Sequence, residues 1–80
     1  MAKKDKKNDD FTFEITEEIG VIKTNPKTNW TTEINLVSWN DREPVVDIRA
    51  WDEDHEHMSK GVTMSEKEAK KLAKLIDEAF

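Results

Sequence analysis

Cysteine is absent, so no disulfide staples this fold and no four-thiolate metal site forms in it. Glycine and proline occur only twice each. There is neither a glycine-rich phosphate loop nor a G-x-S-x-G nucleophile elbow, and no serine has an evident partner base. No apolar run approaches the roughly 20 residues of a membrane span. No apolar stretch follows the basic N-terminus, as a secretory signal would require. These absences exclude the common enzyme classes and leave a soluble, cytoplasmic, cofactor-free protein as the expectation. What is abundant is charge: 39% of the 80 residues are Asp, Glu, Lys or Arg, with a net charge of −5.

Met1–Asp10, MAKKDKKNDD, has no apolar side chain after Ala2 and is expected to be a disordered basic tail. Its Lys3, Lys4, Lys6 and Lys7 are either solubilising or sources of sequence-independent phosphate contacts. Residues 11–80 then form one domain, of a size at which a single core contributes only a few kcal/mol. With no staple available, dimerisation is the expected supplement.

From Phe11 to Thr24 apolar residues recur with period two, which predicts one long, bent strand with glycine permitting a bulge near Glu17–Gly20. Thr24–Asn29 has the proline and asparagines of a turn. A second strand runs from Trp30 to about Trp39, and Asn40–Pro44 turns it into a third, Val45–Trp51. Asp52–Ser59 reads as a polar loop, and Lys60–Met64 as a short fourth strand with Val62 and Met64 inward. Ser65 and Glu68 form an S-x-x-E capping box. After it Ala69, Leu72, Ala73, Ile76, Ala79 and Phe80 recur at helical spacing. The plan is α+β, ββββα: four antiparallel strands and one helix that covers one face and leaves the other open.

Alternation divides the third strand cleanly. Val46, Ile48 and Ala50 suit a core, whereas Asp47, Arg49 and Trp51 point the opposite way. If Ile34 and Leu36 face the core, Trp39 joins Arg49 and Trp51 on the outer face. Exposed tryptophan beside arginine suits a surface that stacks bases and neutralises phosphates. The acidic balance opposes a nucleic-acid partner only when averaged. Acidic residues concentrate in Asp52–Glu56 and the helix, while Lys23, Lys27, Arg42, Arg49 and Lys60 fall on strands and turns. Each candidate has a plainer alternative: Trp30 and Trp39 as core, and Arg49 as the ion-pair partner of Asp47. Asp52, Glu53, Asp54, His55, Glu56 and His57 are ligand types for a metal. They lack a second cluster and the calcium-loop spacing, so no metal site is expected.

DIRAW, an acidic loop, SKGVTMSE and a terminal helix resemble the transcriptional coactivator family named after positive cofactor four. The longer string VSWNDREPVVDIRAWDEDHEHMSKGVTMSE is similar to its bacterial, YdbC-type branch. The resemblance covers roughly Phe11 to the C-terminus. It implies a strongly curved four-stranded sheet with a helix, in a homodimer whose β-ribbons form grooves for single-stranded DNA or RNA. By position, Arg49 corresponds to a phosphate-contacting arginine, Trp51 to a base-stacking aromatic, and Lys60 to the lysine of the K-G step. Glu33 and Asn35 depart from it, standing where eukaryotic members carry lysine and arginine. The expected contacts are therefore Lys23, Trp30, Trp39, Arg42, Arg49, Trp51 and Lys60. The nucleoid is the expected location. A peptide-docking module for a transcription subunit is the alternative.

Overall fold

The computed structural model describes residues 12–80; the expected tail, Met1–Asp10, and Phe11 lie outside them. Four strands and a helix follow in order: β1 Phe13–Thr24, β2 Thr31–Trp39, β3 Val45–Trp51, β4 Val62–Met64 and α1 Glu66–Ala79. The sheet is antiparallel throughout, in the order β1-β2-β3-β4. The ββββα plan is the one the sequence predicts.

β1 is a single strand, but its register against β2 slips at three places, between Ile15 and Glu17, Glu18 and Gly20, and Val21 and Lys23. Each slip inserts an extra residue and bends the strand. The slips also reassign faces. Phe13 and Ile15 pair with Trp39 and Val37, whereas Ile19 and Ile22 end on the opposite side, the one that carries the helix. The bend expected near Glu17–Gly20 is present, and with the two further slips it divides the period-two pattern into two apolar segments on two faces.

The turns follow from their polar side chains. Asn25 Oδ1 accepts from the amides of Lys27 and Thr28 at 2.9 and 3.4 Å. Asn40 and Asp41 both have positive φ, and the Arg42 amide donates to Trp39 O at 3.0 Å. This is the primed geometry that matches the twist of flanking strands. At the head of α1 the capping box is complete: Glu68 N donates to Ser65 Oγ at 3.1 Å and Ser65 N to Glu68 Oε1 at 2.8 Å.

The sheet is strongly coiled, and three rings show it. Phe13 lies 5.8 Å from Trp39 and 5.2 Å from Trp51, ring centre to ring centre. Yet Trp51 pairs with Thr31, at the far end of β2 from Trp39. On a straight strand those positions would be about 26 Å apart. Only a sheet curled toward the face carrying Phe13, Trp39, Arg49 and Trp51 brings them together.

That curl decides which face is interior. The concave side encloses Glu33, Asn35, Val37, Asp47 and Trp51, all buried. The convex side carries Ile34, Val46, Ile48 and Met64 under Ala69, Leu72, Ala73 and Ile76 of α1, with a mainly apolar cavity of about 320 Å³ between them. α1 packs over β3 and β4 only, so Ile19 and Ile22 remain more than half exposed. The helix thus covers only part of its face, and the face expected to be open carries the most deeply buried side chains. Val62, expected inward, and Phe80, expected in the helix stripe, are both exposed.

Candidate nucleic-acid interface

The concave face is built on β2 and β3. Register sets Glu33 opposite Arg49 and Asn35 opposite Asp47. Arg49 reaches back along its own strand instead of outward. Its Nε donates to Asp47 Oδ1 and Oδ2 at 2.7 and 2.9 Å, and Nη2 lies 2.7 Å from Oδ2. Nη1 meets Met58 Sδ at 3.2 Å and Ser59 O at 3.3 Å. The guanidinium carbon lies 4.7 Å from the Trp39 ring centre, a cation–π distance. The side chain of Arg49 is 13% exposed and that of Asp47 wholly buried. The exposed position expected of Arg49 is corrected to a partly buried ion pair, the plainer alternative set beside its expected phosphate contact.

Gly61 makes this arrangement possible. A Cβ there would lie 2.5 Å from Arg49 Cβ and 2.6 Å from Ile48 O. The K-G step thus brings backbone directly against the base of the arginine.

Trp51 is corrected too. Expected as an exposed base platform, it is 0% exposed. Phe13 covers it from one direction and His55 from another, ring centres 5.5 Å apart. Its indole N–H meets no acceptor among the described residues. The remaining candidates are more accessible. Trp30 and Trp39 are half-buried, and Lys23, Arg42 and Lys60 are exposed. Lys23 and Trp30 flank the β1–β2 turn, Trp39 and Arg42 the opposite end of the sheet, and Lys60 leads into β4. The structure brings Trp39, Arg49 and Trp51 together in the curl and spreads the exposed cations along its length.

The loop Asp52–Ser59 is tied down by its own side chains. Asp52 Oδ1 accepts from the amides of Glu56 and His57 at 2.8 and 3.1 Å. Asp52 Oδ2 lies 2.8 Å from His57 Nδ1. The hydrogen bond from His57 is the main cause that lowers the Asp52 carboxyl to about 2, and in return Asp52 raises the imidazole above its ordinary value. His55, held at positive φ, turns inward and places Nε2 2.9 and 3.0 Å from the Glu33 carboxylate oxygens. Glu33 also accepts from Thr31 Oγ1 and from Asn35 Nδ2. Burial works to raise the Glu33 carboxyl, but these hydrogen bonds outweigh it and hold the group below its ordinary value. The two histidines serve different carboxylates. Among the described residues no three acidic or imidazole side chains gather in a metal-binding group.

The network of Glu33, Asn35 and His55, with Phe13 as a ring bridging two tryptophans, was not evident from sequence. Glu33 and Asn35 alternate onto the same face as Val37. Once that register is known, two polar residues beside a buried valine signal a polar interior.

The family model described as Transcriptional Coactivator p15 (PC4) matches residues 27–75. The chain is also 40% identical over 70 residues to an uncharacterized protein of Treponema pallidum (strain Nichols), an alignment covering 88% of this chain and 81% of that relative. The family match takes in β2, β3, the acidic loop, the K-G step and most of α1.

Proposed function

Because the chain belongs to the PC4 family of transcriptional coactivators, we propose that it binds single-stranded nucleic acid without catalysis and without regard to overall sequence. Family membership across residues 27–75 carries this reading. The exposed cations agree with it and the buried Trp51 does not contribute. Lys23, Arg42 and Lys60 follow the phosphates, and the half-buried rings of Trp30 and Trp39 meet bases. Arg49 and Trp51 act from beneath, fixing the curl that positions Trp39. Residues 11–80 work as one domain. No helix among the described residues is long and apolar enough to cross a membrane, and the cytoplasm, beside the nucleoid, is the proposed site of action.

The convex face supports a homodimer. Ile19, Ile22 and Ile76, which line the cavity under α1, are each at least half exposed. Exposed apolar side chains gathered around one apolar cavity suit an association surface. A second copy of the chain is its proposed occupant, and a monomeric mass by light scattering at micromolar concentration would count against it.

The test is a titration of (dT)20 followed by tryptophan fluorescence at several salt concentrations, with duplex DNA as control. Three phosphate contacts at about 0.7 each give log K a slope near −2 against log salt. Arg42→Ala and Lys60→Ala should each flatten that slope by about 0.7 and leave stability unchanged. Equal affinity for duplex, or no salt dependence, would overturn the reading in favour of peptide docking.

A further inference from the structure

α1 turns Ala69, Leu72, Ala73 and Ile76 toward the sheet. Lys67, Lys70, Lys71 and Lys74 recur at i, i+3, i+4 and i+7, so they form one ridge on the side facing away from it, and all four are exposed. The ridge runs for about 10 Å of helix axis, on a chain whose net charge is −5. Helix stability does not account for it. Lys67 with Lys71, and Lys70 with Lys74, are like charges four residues apart, which weaken a helix. The macrodipole favours cations in the last turn, where α1 has none. Glu68, the carboxylate within the ridge's span, is taken up by the capping box, 2.8 Å from Ser65 N. Among the described residues ion pairs join Arg49 to Asp47, His55 to Glu33 and His57 to Asp52, and none engages a lysine of α1. A local rule broken without a local gain marks a functional surface.

The partner must carry repeated negative charge. A membrane surface is a poor fit, because it would need the apolar side of the helix, and that side is turned to the sheet. A phosphodiester backbone fits. Lysines meet it as point charges on flexible stems and read no sequence. The route is also short in the fold: Lys60 leads into the edge strand β4, and α1 begins directly after β4. We propose that the lysine ridge of α1 is a second phosphate track, on the side of the sheet opposite the tryptophans, over which a long single strand continues after it has filled the contacts at Lys23, Arg42 and Lys60. The inference rests on the single-strand reading above and adds to it a second binding face.

The salt dependence of binding at two strand lengths decides it. The 12 residues of β1 span about 40 Å. A (dT)20 strand covers about 70 Å at roughly 3.4 Å per phosphate, so the first track of the proposed dimer uses it up, whereas (dT)60 has length to spare. With strand in excess, log K for (dT)20 should fall with a slope near −2 against log salt. For (dT)60 the slope should approach about −5, because four further contacts add about 0.7 each. Lys67→Gln, Lys70→Gln, Lys71→Gln and Lys74→Gln combined in one chain should return the (dT)60 slope to about −2 and leave (dT)20 unchanged. This variant should keep or raise the thermal midpoint, since it removes like-charge pairs, and the matching Arg variant should keep the steep slope. Equal slopes for the two strands in the parent, or a Gln variant that flattens both alike, would overturn the second track but not the single-strand reading. Equal slopes together with poly-L-glutamate binding that the Gln variant loses would assign the ridge to an acidic protein instead. Binding of neither strand would remove the single-strand reading itself.

Discussion

Arg49 stands 4.7 Å from the ring centre of Trp39, although β-pairing sets Arg49 opposite Glu33, six residues earlier on β2. Six residues of straight strand span roughly 20 Å, so the contact exists because the sheet curls and the guanidinium lies along its inside. Arg49 therefore bridges two kinds of work. It neutralises the buried Asp47, and it backs the ring proposed to meet a base.

Removing the arginine separates these roles. Arg49→Met leaves the Asp47 carboxylate wholly buried without its counter-charge, which should cost about 3–5 kcal/mol in urea denaturation. The double variant with Asp47→Leu removes both charges and should recover most of that loss. If Arg49→Met instead unfolds at the parent urea midpoint but binds (dT)20 tenfold more weakly, Arg49 contacts the strand directly after all.

Trp51 makes the same argument in apolar form. Its ring is enclosed by Phe13 and His55 and has no exposed surface. Trp51→Ala should cost about 3–5 kcal/mol, as truncation of a buried aromatic does, and the thermal midpoint should fall sharply. Trp39→Ala should instead weaken (dT)20 binding with a smaller stability loss. A Trp51→Ala protein with an unchanged midpoint and lost affinity would restore the exposed-platform reading.

The strand order, the hairpins and the capped helix were legible in the sequence because each has a local cause: period-two alternation, Asn-rich turns, and Ser65 with Glu68. Local alternation also placed Trp39, Arg49 and Trp51 correctly on one shared face. It could not say whether that face was inside or outside. That depends on the direction of curl, set by three bulges in β1 and by nonlocal contacts between Phe13 and two tryptophans. The helix stripe misled in the same way: it identified a real apolar face but not how little of the sheet 14 residues of helix cover.

The two glycines offer a paired test of local geometry. A methyl group at Gly61 meets Arg49 Cβ at 2.5 Å and the Ile48 carbonyl at 2.6 Å, and backbone cannot yield as a flexible side chain would. Gly61→Ala should cost roughly 1–3 kcal/mol, the range for overpacking. Gly20→Ala meets nothing within 4 Å and has no positive φ to accommodate. It should be neutral or stabilising by up to about 1 kcal/mol, because alanine restricts the unfolded chain. Chemical denaturation of both variants at equal protein concentration checks the contrast, and equal losses would mean that the approach to Arg49 relaxes freely.

The Asp52–His57 pair gives the loop a pH window. Asp52 is lowered from 3.8 to about 2, so its contribution to folding is present above 3.8 and fades as pH falls toward 2. His57 is raised above 6.5, so its contribution is complete below 6.5 and fades as pH rises through the raised value. The pair should hold the loop most firmly between about pH 4 and 6.5, and loosen toward neutrality and beyond. Amide protection factors for Glu56 and His57, whose N–H groups donate to Asp52, should be highest in that window. The His57 imidazole should titrate above 6.5 by NMR in the parent and return to about 6.5 in Asp52→Asn. An imidazole titrating at or below 6.5 in the parent would show that the hydrogen bond to Asp52 is not held in solution.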